Sequence, residues 1–312
     1  MDVVDVIKNM FKDDNYSFNT FVLLKSNRKV KKLLLDENTP DKSNTGFKEK
    51  IRVKIHDYIR SNYLADEAEY TSYENIADNQ RKFYVINQDD EYHPFDMLKE
   101  DDENITGFDI SEINDLMGVL FKFEKGTDTV WGYQYIYSIA IPNKSGLGFL
   151  LTQEGTLFKE MKKPLFSISS KINFMIVNGN IITNDIDIMQ RNFGFSKFIR
   201  SEAAKVMNTV NDIGIVDSMD KIQKYVEGDK LTYAKKMMQI KSSPVLNMKP
   251  KVLLNKIKTS PTYSNKLKIV DNKIVLETKK QVEVFIKMLN DTWLKSELTE
   301  QLYEAEVKKK SE

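Results

Sequence analysis

The apolar residues of this chain change their period midway. Met117 to Glu124 and Thr129 to Ile141 alternate, and in the second run the aromatics Trp131, Tyr133, Tyr135 and Tyr137 recur at every second position. Successive side chains of a strand point to opposite faces, so alternation of this length predicts strands with a packed face. Pro142 to Gly146 reads as a turn, with short strands over Gly148 to Gln153 and Thr156 to Lys159. Asn178-Gly179, flanked by Lys171 to Val177 and Asn180 to Thr183, predicts a hairpin, because both residues tolerate the positive φ of a type I′ turn. From Ile186 the spacing becomes helical. Helices are expected over Ile186 to Arg191, Phe195 to Val210, Asp217 to Val226, Asp229 to Ile240 and Pro250 to Lys258. Asp217 and Asp229 stand where N-caps belong, with Gly228 as a stop signal between the two helices. A hairpin of Lys266 to Val270 with Lys273 to Glu277, then helix from Lys280, complete the pattern.

The front third mixes both periods. An amphipathic helix carries Val3, Val4, Ile7, Met10 and Phe11 on one face; Phe18 to Lys25 and Lys82 to Asn87 read as strands; and Phe47 to Leu64 reads as a helix burying Ile51, Val53, Ile55, Ile59 and Tyr63. The acidic, aperiodic stretch from Asn87 to Asp109 is expected to be a surface loop and a domain boundary. The reading is therefore an α+β protein: an acidic amino-terminal α/β domain over 1–115, then a β-rich and later helical domain over 116–312. The 312 residues, 41% hydrophobic, suffice for a large core. Cysteine is absent, which removes disulfides, thiolate nucleophiles and Cys-ligated zinc. The first residues lack the basic-then-apolar order of a signal peptide, and the apolar stretches fall short of the about 20 residues a bilayer needs, so a cytoplasmic protein is expected.

Charge is distributed unevenly along the chain. Met1 to Asp115 holds 16 Lys and Arg against 25 Asp and Glu, while Leu116 to Glu312 holds 31 against 21. Between Lys230 and Lys280 there are 13 lysines and only two acids, Asp271 and Glu277. On the predicted helix Pro250 to Lys258, Lys251, Asn255 and Lys258 recur at i, i+4 and i+7, opposite Leu253, Leu254 and Ile257. Two readings fit such a ridge: solvated lysines that confer solubility, or a surface that neutralises phosphates and gains affinity by releasing their counterions. Lysine rather than arginine suits backbone attraction more than bidentate base reading, so the binding form of the idea is sequence-independent. Its candidate residues are Lys235, Lys236, Lys241, Lys249, Lys251, Lys256, Lys258, Lys266 and Lys268, with Arg191, Lys197 and Arg200 on helices beside the Asn178-Gly179 hairpin. The acidic loop reads either as a solvated spacer or as a cover for the basic face, the latter implying salt-sensitive self-association.

Signs of catalysis are sparse. Each of the two histidines, His56 and His93, reads as a surface residue with satisfied partners. Asp89, Asp90, Glu91, His93 and Asp96 match no cation-loop spacing. A metal-dependent nuclease would draw on Asp271, Glu277 and Lys279, but Asp271 is most simply a hairpin turn. No phosphate-binding glycine loop occurs. The expectation is a protein without catalytic residues, metal or cofactor.

The stretches INFMIVNGNIITND, NFGFSKFI, SSPVL, KPKVLLNKIK, KLKIVDNKIVLETKKQ and FIKMLNDTWLKSELTEQLYEAEVKKK, in this order, resemble the KwaB-like family of the Kiwa anti-phage defence system. The resemblance covers about Leu116 to Lys310 and is most specific at Leu289-Asn290-Asp291, Leu294, Ser296, Leu298-Thr299 and Tyr303. It implies a DNA-binding defence protein in an assembly with a small multi-pass membrane protein of the KwaA kind. It brings no catalytic residues. A homo-oligomer is the expected state, and a nuclease or a protein-only adaptor are the alternatives.

Overall fold

Asn178 and Gly179, at φ 48° and 82°, form the expected tight turn between two strands in the computed structural model. The structure describes residues 2–37, 46–75, 82–87, 92–99, 104–137, 151–154, 157–160, 166–295 and 302–304, with 151–154, 157–160, 294–295 and 302–304 as backbone only. The expected turn at Pro142 to Gly146, Ser296, Leu298-Thr299 and much of the acidic stretch lie outside these residues.

The longer elements follow the sequence periods, but Trp293–Lys295 and Leu302–Glu304 are strands where the pattern after Lys280 reads as helix, and Val30–Lys32 and Tyr70–Ser72 are strands that the pattern does not mark. In chain order they are α1 (Val3–Met10), β1 (Ser17–Leu24), β2 (Val30–Lys32), α2 (Phe47–Asn62), β3 (Tyr70–Ser72), β4 (Phe83–Asn87), β5 (Leu116–Lys125) and β6 (Asp128–Tyr135). Then come β7 (Leu151–Glu154), β8 (Leu157–Glu160), β9 (Phe174–Val177), β10 (Asn180–Thr183), α3 (Ile186–Asn192), α4 (Phe195–Ile213), α5 (Asp220–Val226), α6 (Thr232–Gln239) and α7 (Pro250–Thr259). The chain closes with β11 (Lys268–Val270), β12 (Lys273–Val275), α8 (Lys279–Leu289), β13 (Trp293–Lys295) and β14 (Leu302–Glu304). The fold is α+β.

Eight strands form one sheet in the order β2-β1-β5-β6-β9-β10-β4-β3. The expected boundary after residue 115 falls inside this sheet, because β1 pairs with β5 along its whole length, from Ser17↔Glu124 to Leu24↔Leu116. Two compact units divide elsewhere: Met1–Thr71 with Arg81–Ile188, and Ser72–Gln80 with Met189–Glu312. The physical reason is hydrogen bonding. An inner strand leaves a row of N–H and C=O groups that only another strand can satisfy, and the front third supplies those neighbours. The first unit keeps an acidic balance, 23 Lys and Arg against 29 Asp and Glu, and the second a basic one, 24 against 17.

The first unit is built around its sheet. Val119, Phe121 and Phe123 of β5 and Val130 of β6 are buried in one cluster with Ile7 and Met10 of α1 and Ile51, Ile55 and Ile59 of α2. On the other face, Tyr133 stacks on Phe174 at 4.5 Å and its hydroxyl donates to the Met117 carbonyl oxygen. Gly118 makes room for that ring: a Cβ there would stand 2.4 Å from it. Trp131 and Tyr133 are thus packed as their spacing predicts, while Tyr135 is half-buried and Tyr137 exposed. Val53 departs from expectation and is exposed, since a helix at 100° per residue places it away from the Ile51, Ile55, Ile59 stripe. The acidic stretch is also less of a free loop than expected: Tyr92, Phe95 and Ile105 are buried, and Gly107 bridges to Lys32.

The second unit is mainly helical. Phe195, Phe198, Ile199, Ala203 and Val206 of α4, Met237 and Met238 of α6, Leu253 and Ile257 of α7 and Phe285 and Ile286 of α8 are buried in it. Asp217 and Asp229 are not the N-caps; α5 and α6 begin at Asp220 and Thr232. Asp217 is drawn aside by extended pairing, its N–H donating to the Ile274 carbonyl at 3.0 Å beside the Val216↔Ile274 bridge. Asp271 and Asn272, both at positive φ, turn the β11–β12 hairpin as expected. Among the described residues, no helix is long and apolar enough to cross a membrane.

Candidate nucleic-acid interface

Pro250 opens α7 at a position where a missing N–H costs nothing, and the helix then splits cleanly into two faces. Leu253, Leu254 and Ile257 are buried, whereas Lys251, Asn255, Lys256 and Lys258 are exposed, as is Lys249 just before the helix. Lys258 approaches the Asn272 side chain in the hairpin turn at 3.4 Å. Lys249, Lys251 and Lys256 have no ion pair among the described residues. Lys197, at the start of α4, is likewise exposed.

Other sequence candidates are committed inside the unit. Arg200 donates to the carbonyl oxygens of Val226 at 2.9 Å and Gly228 at 2.7 Å, satisfying the end of α5. Lys241 lies 3.1 Å from both Glu74 and Glu202. The Glu202 side chain is only 4% exposed, and it also takes Lys205 at 2.7 Å. Burial opposes its ionisation, but hydrogen bonds from Lys205 and Lys241 outweigh this and hold its pKa below the ordinary carboxylate value. Lys241 is thus the counter-ion of a buried acid. Lys235 and Lys236 are half-buried on α6, and the Lys236 carbonyl accepts from Asn290. Lys266 sits over the Trp293 ring at 4.5 Å, a cation–π contact, and Tyr263 packs on the same indole at 5.1 Å. Lys268 pairs with Glu277 at 3.2 Å, both more than half exposed, which leaves the pair weak and its charge near the surface. Arg191 is exposed on α3.

The helix starts add a signal that the sequence candidates did not include. A helix N-terminus carries partial positive charge, so an acid in the first turn contributes roughly 0.3–1 kcal/mol. In the first unit α1 has Asp5 and α2 has Glu49 there. In the second unit α4, α6, α7 and α8 have none. Instead Lys197 stands in the first turn of α4, Lys249 and Lys251 at the start of α7, and Lys279 and Lys280 at the start of α8. Lysine side chains and helix dipoles there sum to one sign, an arrangement that sacrifices stability and attracts anions. The signal was present in the sequence, but reading it needed the helix starts to within a residue.

The first unit holds a polar cluster of a different kind. Arg52 donates to both oxygens of Glu49 at 2.7 and 2.6 Å, and also to Tyr16, whose hydroxyl lies 2.7 Å from Nδ1 of His56. His56 is buried, contrary to the surface position expected, because α2 turns it toward Phe11 and Tyr16. Burial lowers its pKa and pushes the Tyr16 phenol up to about 12. Mutual satisfaction of these groups ties the segment before β1 to α2. His93 is exposed. Asp271 occupies its turn and Glu277 binds Lys268, and among the described residues no three His, Asp or Glu side chains converge as a metal site would require.

Comparison with known families gives one match. The family model described as "Kiwa protein KwaB-like" matches residues 113–299, more than half of the chain. The matched span takes in β5, β6, β9 and β10 of the large sheet and the helices of the second unit through α8. No curated protein and no solved structure matches.

Proposed function

The chain belongs to the Kiwa KwaB-like family, and from that premise we propose that within Kiwa anti-phage defence it is the component that binds nucleic acid. The ligand is DNA, held without regard to sequence and without cleavage, and its retention blocks phage replication or expression. The observation that carries this reading is the set of exposed lysines Lys249, Lys251, Lys256 and Lys258 on a helix whose first turn holds no acid. Lys197, Lys266, Lys268, Lys279 and Lys280 extend the same field, while Arg200 and Lys241 support the fold. Phosphate neutralisation by such lysines is electrostatic and therefore steeply salt-dependent. In this reading the protein acts in the cytoplasm as an oligomer, at the inner face of the membrane through a small multi-pass partner of the KwaA kind.

The test is fluorescence anisotropy of the whole protein with a short random duplex across salt concentrations, with a parallel sample in Mg²⁺ run on a gel. Binding that steepens as salt falls, to DNA that stays intact, is expected. A cleaved duplex would replace the binder by a nuclease. The opposite balances of the two units favour one second reading, a protein-only adaptor whose basic surface meets acidic surfaces of other copies. Absence of DNA binding at low salt, with salt-sensitive self-association by light scattering, would establish that alternative.

A further inference from the structure

The connection between β3 and β4 departs from the sheet it serves. These strands are neighbours in the large sheet, yet Ser72–Gln80, which leads from one to the other, belongs to the second unit. Its described part is a 3₁₀ turn, Tyr73–Asn75, and two of its side chains are committed to that unit. The Tyr73 ring is 7% exposed and packs against Phe198 at 5.4 Å and Phe195 at 6.3 Å. Glu74 lies 3.1 Å from Lys241, the lysine that also neutralises the buried Glu202. Both residues precede the family-matched span, which begins at residue 113.

What they hold is the weak end of a helix. α4 follows Gly194, whose φ is 72°, with no side-chain cap on its first N–H groups and no acid in its first turn. Lys197 stands in that turn instead and adds its charge to the positive helix end. Local sequence therefore favours fraying at this point. Packing opposes it: Phe195 and Phe198 flank Lys197, stack on each other at 5.7 Å, and are both in contact with Tyr73.

Strands fix both ends of the connection, and this gives the contact a direction. With β3 and β4 in place, Tyr73 is presented on a short loop between neighbouring strands. With the sheet unfolded, bringing Tyr73 to Phe195 closes a loop of roughly 120 residues, and the entropic cost of closure rises with loop length. We propose that Tyr73 and Glu74 are a strap through which the folded sheet of the first unit holds the first turn of α4, and with it Lys197, in place in the second. The consequence for DNA rests on the function proposed above; the coupling of the two units does not.

The chain has two tryptophans, Trp131 in the first unit and Trp293 in the second, so each unit carries its own reporter. In the full-length protein, Trp293→Phe leaves Trp131 to report the sheet, and Trp131→Phe leaves Trp293 to report the helical unit. In urea, fluorescence and far-UV circular dichroism should unfold together in both parents. Adding Tyr73→Ala/Glu74→Gln should lower the Trp293 midpoint by about 1 M or more, ahead of the circular dichroism, while Trp131 unfolds after it. Tyr73→Phe keeps the ring and should recover most of the shift. Without urea, the double variant should bind DNA with a slope of log K against log salt smaller by about 0.9, the share of one phosphate. Separate transitions in the parents, coincident ones in the double variant, an unmoved Trp293 midpoint, an equal loss in Tyr73→Phe, or an unchanged salt slope in a protein that binds DNA would each overturn the strap. A wild-type protein that binds no DNA would overturn the function proposed above and leave the unfolding curves to decide the strap.

Discussion

In the first unit seven described cations have a carboxylate within ion-pair distance, whereas on α7 the lysines have none among the described residues. Lys31 meets Glu112, Lys48 meets Glu37, Arg52 meets Glu49, Lys82 meets Glu69 and Lys125 meets Asp13, all at 2.6–2.9 Å. Lys249, Lys251 and Lys256 have no such neighbour among the described residues. The contrast separates two uses of the same side chain. A paired lysine is part of the fold's own electrostatics; in the proposed reading, an unpaired one on a positive helix start is held for a ligand. Net charge alone does not distinguish them, because Lys241 belongs to the basic unit and is nonetheless committed to Glu74 and Glu202.

Four experiments would break or sharpen this contrast. The largest effect is structural: Phe121→Ala removes a fully buried ring from the sheet and should cost about 3–5 kcal/mol in urea unfolding. A loss below about 1 kcal/mol would mean that β5 is not the centre of that core. Next, changing Lys249, Lys251, Lys256 and Lys258 together to Ala should weaken DNA binding at least about tenfold at about 0.1 M salt, and flatten the slope of log K against log salt by about 0.9 for each phosphate that is no longer neutralised. Unchanged affinity and slope would remove α7 from the DNA-binding surface.

Lys241→Ala should do the reverse, destabilising by about 1–2 kcal/mol while leaving DNA affinity near wild type. Its partner adds a pH signature. The folded pKa of Glu202 is depressed, so the stability it contributes is fully present above the ordinary value near 4.5 and is lost as pH falls through the lower folded value. The stability gap between wild type and Glu202→Gln should therefore narrow on acidification; a gap independent of pH would show that the carboxylate is not the source. The smallest effect is the most diagnostic. Lys280→Glu puts an acid in the first turn of α8 and should stabilise by roughly 0.3–1 kcal/mol while weakening DNA binding. A charge change that raises stability and lowers affinity separates a binding lysine from a structural one.

Much of the fold was legible in the sequence because local periods are strong. Strand β5, the Asn178-Gly179 turn, α4 and α7 fall within a few residues of their predicted spans, since alternation, positive-φ turn residues and amphipathic spacing are properties of neighbouring positions. The candidate site was legible only as a field. The lysines of α7 stood out by spacing, but Arg200 looked equivalent to them, and only the approach of the Val226 and Gly228 carbonyls shows it to be a helix cap. Helix boundaries shifted where a distant strand intervened, as at Asp217, whose N–H is taken by Ile274.

The sequence by itself determined the α+β class, the order of the longer elements up to α8, the tight turns and the polarity of charge, because each depends on side chains close together along the chain. Tertiary structure alone decided that β1 and β5 pair across about a hundred residues, that the unit boundary falls near residue 188 rather than 115, that His56 is buried, and which lysines face carboxylates. Backbone hydrogen bonds and ion pairs are satisfied by whichever partner the fold brings within reach, and no local period encodes that partner.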